Sequence, residues 1–202
     1  MKLKQNYPKI LLVIYIIVWI ILAIKPNYRS VWIDENILTA IFISIFIISY
    51  RWFKFSNTSY SFIFVFMVLH AIGGHYSYNE MPLFDWIKNY FGLARNHYDR
   101  IVHFMFGFLF FLPVYEFLVR IFKVPKGWRA IFLTFFCVAA TKGIFELIEY
   151  GYVWVRADSL NITNYLGEQG DVWDSQKDVF LGVLGGAIMG FFVWIKEKTI
   201  KK

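Results

Sequence analysis

All four histidines of this chain, His70, His75, His97 and His103, and nearly all of its acids fall near one end of its apolar segments. Three stretches carry most of that polarity. The first runs from His70 through Gly73, Gly74, His75, Tyr76 and Tyr78 to Glu80. In the second, Asp99, His103 and Gly107 recur every four residues, which puts a carboxylate and an imidazole on one helical face above a small residue. The third is divided between Lys142, Glu146, Glu149 and Tyr150 and a later run containing Glu168, Asp171, Asp174, Lys177 and Asp178. There Asp174, Asp178, Gly182, Gly186 and Gly190 form an unbroken four-residue stripe. Its glycines make a double G-x-x-x-G packing face, so the two aspartates above them are expected to point into the protein.

Mixed imidazole and carboxylate ligands suit zinc, manganese or iron better than calcium or magnesium, which favour all-oxygen sites. The expected cofactor is therefore a divalent metal ion of that kind, with His70, His75, His103 and Asp178 as ligands. Asp99, Glu146, Glu149, Asp174 and Asp178 are the candidate catalytic carboxylates. Arg95, Arg100, Lys142 and Tyr98 are the candidate substrate-binding groups. Charge balance favours a cation as well. Carboxylates at Glu80, Asp99, Glu146, Glu149, Asp171, Asp174 and Asp178 outnumber the cations Arg95, Arg100, Lys142 and Lys177. Partly buried acids in excess must be protonated or neutralised.

Simpler roles compete for several of these residues. A lone interfacial histidine is usually a satisfied hydrogen-bonding group. Glu168 and Asp171 can be solvated or capping residues, and Asp174 can be an N-cap. Lys142 lies thirteen residues beyond Arg129, roughly 20 Å along a helix, and needs a partner there. Glu146, one turn away, supplies one as a structural ion pair, and Glu116 with Arg120 repeats that spacing. Nucleotide-binding and H-E-x-x-H motifs are missing from the sequence, and Cys137 has no base beside it. A haem between His70 and His103 is disfavoured by their acidic setting. Asn57-Thr58-Ser59 and Asn161-Ile162-Thr163 fit the weak glycosylation pattern.

The elements that position these groups follow from composition. Of 202 residues, 58% are hydrophobic and only 17% charged, below the roughly 25% that a soluble domain uses to cover its surface. Six apolar runs, at about 10–24, 34–51, 58–74, 98–122, 128–153 and 176–195, predict an all-α, polytopic integral membrane helical bundle with six transmembrane helices in a single domain. The first three runs are short for a bilayer, but flanking Trp32, Trp52, Tyr and Lys residues act as interfacial anchors. The first run has a basic start like a signal peptide, yet Lys25-Pro26-Asn27-Tyr28 is no cleavage site, so it reads as a retained anchor. Between Pro82 and Gly92, apolar residues at helical spacing predict an amphipathic outer-interface helix over about 82–91.

Six spans place both termini on one face with thirteen of the 21 basic residues, leaving seven opposite and Lys142 within a span. The positive-inside rule then puts both termini in the cytoplasm, and the net charge of +7 follows from topology rather than from nucleic-acid binding.

Four segments together resemble the YjdF-like family of bacterial inner-membrane proteins: His70 to Met81 (HAIGGHYSYNEM), Arg95 to Gly107 (RNHYDRIVHFMFG), Phe145 to Tyr150 (FELIEY) and Leu166 to Asp178 (LGEQGDVWDSQKD). More distantly, the D-R-x-x-H-F turn at Asp99 to Phe104 and the D-x-x-x-D entry into a glycine-rich last helix are similar to VanZ-like membrane proteins. The resemblance implies a multi-pass protein of the bacterial cytoplasmic (inner) membrane. It implies no substrate.

The expected function is a one-sided, outward-facing site, a metal-dependent hydrolase or transferase acting on a lipid headgroup or envelope precursor at the bilayer surface. A small ion-coupled transporter using Lys142 and Glu146 is the rival, weakened by the lack of an internal repeat or a cytoplasmic polar cluster. A non-catalytic envelope accessory protein is the third reading.

Overall fold

The computed structural model describes residues 2–156 and 169–200. Glu168, the Asn161-Ile162-Thr163 pattern, the Leu166 to Glu168 part of the last motif, and Lys201 and Lys202 lie outside the described residues. Among the described residues the secondary structure is entirely helical: α1 (Lys2–Leu22), α2 (Arg29–Ser49), α3 (Asn57–Tyr76), α4 (Pro82–Phe91), α5 (Tyr98–Arg120), α6 (Trp128–Arg156) and α7 (Asp174–Ile200). Five of them, α2, α3, α5, α6 and α7, are long and apolar enough to cross a membrane. In α1 the apolar part is the shorter segment Asn6–Leu22. The large aliphatic and aromatic side chains left exposed along these helices, Ile17, Ile41, Phe136, Leu147 and Phe180 among them, are what a lipid-facing surface requires.

The chain divides into two compact units, residues 1–99 with 156–172 and residues 100–155 with 173–202. In the first unit α3 packs against α1 and α2. Tyr7 Oη and Ser61 Oγ are hydrogen-bonded at 2.7 Å near the start of α1 and α3. At the opposite ends, the Asn27 N–H donates to the His75 carbonyl at 2.9 Å and His75 Nδ1 lies 2.7 Å from the Leu22 carbonyl. α1 and α3 therefore run parallel. Trp19 Nε1 donates to Asn36 Oδ1 at 2.5 Å, which ties α1 to α2 within the apolar layer.

α2 starts at Arg29, five residues before the run expected at 34–51. Asp34 and Glu35 consequently lie more than a turn inside the helix and are buried. α4 has Pro82 in its first turn and ends on Gly92 in the left-handed conformation, whose N–H bonds the Lys88 carbonyl. Its Leu83, Trp86, Tyr90 and Phe91 face outward, with Trp86 stacked on Tyr90 at 5.4 Å, while Asp85 accepts from the buried Asn96 side chain at 3.0 Å.

In the second unit, α5 and α7 come together where neither helix has a side chain. A Cβ on Gly107 would collide with the Gly182 carbonyl, and a Cβ on Gly185 with the Phe104 carbonyl. Gly186 and Gly190 continue the contact: a Cβ on Gly186 would come within 3.4 Å of Val138 of α6, and one on Gly190 within 3.0 Å of the Phe111 ring. The glycine stripe thus packs inward, with Gly185 added to it. Small residues let backbones approach this closely where no hydrophobic force draws helices together in lipid.

Candidate functional site

The glycine contact fixes which side chains meet at the α5 and α7 starts. Arg100, in the first turn of α5, reaches α7: its Nη1 donates to Asp178 Oδ1 at 2.9 Å and to the Asp174 carbonyl at 3.0 Å, and its Nη2 donates to Asp174 Oδ1. Asp174 opens α7, where a carboxylate also complements the helix dipole. One turn along α5, His103 Nδ1 lies 3.8 Å from Glu146 Oε1 of α6. Lys142 Nζ donates to Glu146 Oε1, and its ammonium lies 4.9 Å from the Phe145 ring centre. Lys142 is only 2% exposed, and its stem passes beside Gly182, where a Cβ would come within 2.9 Å. Glycine at 182 therefore makes room for the buried lysine as well as for α5. A His103 ring nitrogen and an Asp178 carboxylate oxygen lie within 4.8 Å, a separation two ligands of one ion can have.

This second-unit cluster contains two cations, Arg100 and Lys142, against three carboxylates, Asp174, Asp178 and Glu146, and all five are buried. Isolated charges there would be prohibitive, so the pairs form. Glu149, the fourth carboxylate expected in this region, is half-buried further along α6.

The first unit holds the remaining expected residues in different arrangements. Arg95, buried, lies 3.9 Å from Asp99 and 3.7 Å from Asp171. The buried Tyr98 donates its hydroxyl to the Leu69 carbonyl at 2.7 Å. His75 is committed to the Leu22 carbonyl and packs edge-on against Tyr76 at 4.5 Å. His70 Nδ1 is 2.5 Å from Tyr78 Oη, and its Nε2 is 3.9 Å from Glu35 Oε2. Tyr78 fits because position 73 is glycine, since a Cβ there would strike its ring. Ser77, at φ +63°, turns the chain so that Tyr78 folds back over α3. A non-glycine residue in that region is uncommon.

Of the expected metal ligands, His70 and His75 in the first unit each have a protein partner, and His103 and Asp178 belong to the second unit. The excess of acid counted from the sequence largely resolves into named pairs. Arg95 serves Asp99 and Asp171, Arg100 serves Asp174 and Asp178, Lys142 serves Glu146, and Glu80 accepts from Asn27 at 3.1 Å and Tyr28 at 2.7 Å.

Sequence reasoning gave no role to Glu35, Tyr78 or Asn96. Asn96 is fully buried. Its side chain donates to the Met81 carbonyl and Asp85, each at 3.0 Å, and accepts from the Tyr98 N–H at 3.0 Å, while its own N–H and carbonyl bond Gln169. The signal for Glu35 was available: an acid within an apolar run is itself a functional marker. At the very start of a run expected at 34–51, it reads as an end-of-span charge rather than a buried one.

The family profile described as "Predicted membrane protein (DUF2238)" matches residues 7–199. The chain is 30% identical over 173 residues to "Inner membrane protein YjdF" of Escherichia coli (strain K12), covering 85% of this chain and 81% of that protein. No solved structure matches the chain.

Proposed function

Because the chain belongs to the DUF2238 family of predicted membrane proteins, we propose that it is a six-span inner-membrane protein with both termini in the cytoplasm. Its second-unit cluster then faces the outer leaflet. There a divalent cation, zinc, manganese or iron, held by His103 and Asp178 assists hydrolysis or transfer on a lipid headgroup or envelope precursor. The observation that carries this reading is the charge balance among α5, α6 and α7. Three buried carboxylates meet two buried cations, and a cation beside His103 and Asp178 offsets the remaining negative charge.

Bound there, the ion would lower the pKa of a coordinated water or orient a phosphate, and Asp99, one turn before His103, is the neighbouring carboxylate on the same helix. Arg100 is fixed by two aspartates, so its role is to orient Asp174 and Asp178. The α4 surface, apolar outward and anchored by Asp85, fits a helix lying in the outer interface.

Elemental analysis of the purified protein tests the proposal. About one equivalent of zinc, manganese or iron per chain is expected, lost in His103→Gln while thermal stability is kept. Protein that carries no such metal, or a His103→Gln variant with unchanged metal content, overturns it. Reporter fusions at the two termini test the orientation.

A further inference from the structure

In the first unit, α1, α2 and α3 enclose a cavity of about 310 Å³ lined by Lys9, Leu12, Tyr15, Phe42, Phe46 and Met67 among others. That volume is within the range of small-ligand sites. Its wall is almost wholly apolar, and one polar group on it is deeply buried. Tyr15 is 4% exposed, lines this cavity, and its hydroxyl has no hydrogen-bond partner. A buried hydroxyl is normally satisfied, because leaving its donor unmade costs the full desolvation of the group. Water does not solve this, since an apolar cavity stays dry without several polar partners.

The mouth of the cavity is basic. Lys9 lines it, and Lys54 Nζ lies 5.1 Å from the ring centre of Tyr50, another lining residue. Lys9 on α1, Tyr50 at the end of α2 and Tyr60 at the start of α3 mark one end of the three helices. Tyr15 lies six residues further along α1, about 9 Å of helix rise.

We propose that this cavity binds one anionic glycerophospholipid. Its phosphate would pair with Lys9 and Lys54, an ester carbonyl would accept the Tyr15 hydroxyl, and one acyl chain would fill the space beside Phe42, Phe46 and Met67. The two-point pattern selects among amphiphiles. A polyprenyl phosphate has no carbonyl to reach Tyr15, and a free fatty acid has its only acceptor drawn to Lys9. The inference uses none of the residues invoked for the metal site, so either can fail alone.

The full-length chain, reconstituted in vesicles of equal parts phosphatidylglycerol and phosphatidylethanolamine and released into mild detergent, is read by native mass spectrometry. One retained phosphatidylglycerol per chain is expected. Tyr15→Phe should lower retention about threefold to tenfold, the worth of one hydrogen bond. Lys9→Gln combined with Lys54→Gln should abolish the preference for phosphatidylglycerol over phosphatidylethanolamine. Met67→Trp, which fills the cavity, should release the lipid while helical content by circular dichroism is unchanged. In lipid-free detergent Tyr15→Phe should melt no lower than the parent, because the hydroxyl there has nothing to lose. The proposal is overturned if the parent retains no phospholipid, if Tyr15→Phe or Met67→Trp retains as much as the parent, or if the retained molecule is a polyprenyl phosphate or a fatty acid.

Discussion

In the first unit His70 meets a phenol at 2.5 Å and a carboxylate at 3.9 Å, and Asn96 is held by five short hydrogen bonds, none to a cation. In the second, His103 lies beside Glu146 in a cluster where guanidinium and ammonium groups bond carboxylates directly. These two sets of buried polar groups are satisfied differently. A network of amides, hydroxyls and carbonyls loses one bond when one member is removed. A cluster of paired ions is left with a naked charge, which is far more costly. The Arg100 and Lys142 cluster should therefore fail abruptly when a partner is deleted, and the His70 and Asn96 networks should weaken in steps.

Arg100→Ala gives the largest expected effect. It strands Asp174 and Asp178, and stability should fall by about 3–5 kcal/mol, read as loss of folded protein in detergent melts. Arg100→Lys should recover only part of this, because a single ammonium cannot reproduce the forked contact. A small effect of Arg100→Ala would erase the contrast between the units.

Gly185→Ala comes next, at about 1–3 kcal/mol, because the added methyl has only backbone atoms of Phe104 and Phe108 to push against. Gly143→Ala, with nothing within 4 Å of the new Cβ, should be neutral or stabilise α6 by up to about 1 kcal/mol. If both substitutions behaved alike, the α5 and α7 approach would not be as close as described.

In the first unit, Tyr78→Phe should cost about 0.5–1.5 kcal/mol, the value of one hydrogen bond. A loss of the size expected for Arg100→Ala would show that the His70 contact belongs to an ionic system too. Smallest of all is Glu116→Gln, which removes a 3.6 Å pair with an Arg120 that is half exposed, and should change the melt by less than about 0.5 kcal/mol.

Patterns with a fixed period were the readable part of this chain. The stripe from Asp174 to Gly190 and the Asp99, His103, Gly107 face both rest on four-residue spacing, which a helix converts directly into one side of a cylinder. Lys142 with Glu146 could be read the same way. Which residues meet across helices was not in the spacing. Arg100 was read as a substrate group, whereas in the structure it clamps Asp174 and Asp178, a contact made across 74 and 78 residues of chain. Tyr78 reaches His70 only because Ser77 adopts a left-handed turn and Gly73 lacks a side chain, a combination no periodicity announces. For Asp34 and Glu35 the reason is simpler: an apolar run at 34–51 puts them at its outer end, whereas helix α2 continues back through Ile33 to Arg29 and buries both.

The contact of Gly107 with Gly182 limits how this protein can be repaired once damaged. Where one side chain presses on another, trimming the neighbour restores the fit, and second-site suppressors are readily found. Here the obstacle to any new Cβ is a peptide oxygen, which every amino acid possesses. No exchange at residue 182 can make room for alanine at 107, so a genetic search for compensating changes at that neighbour should return only reversion to glycine.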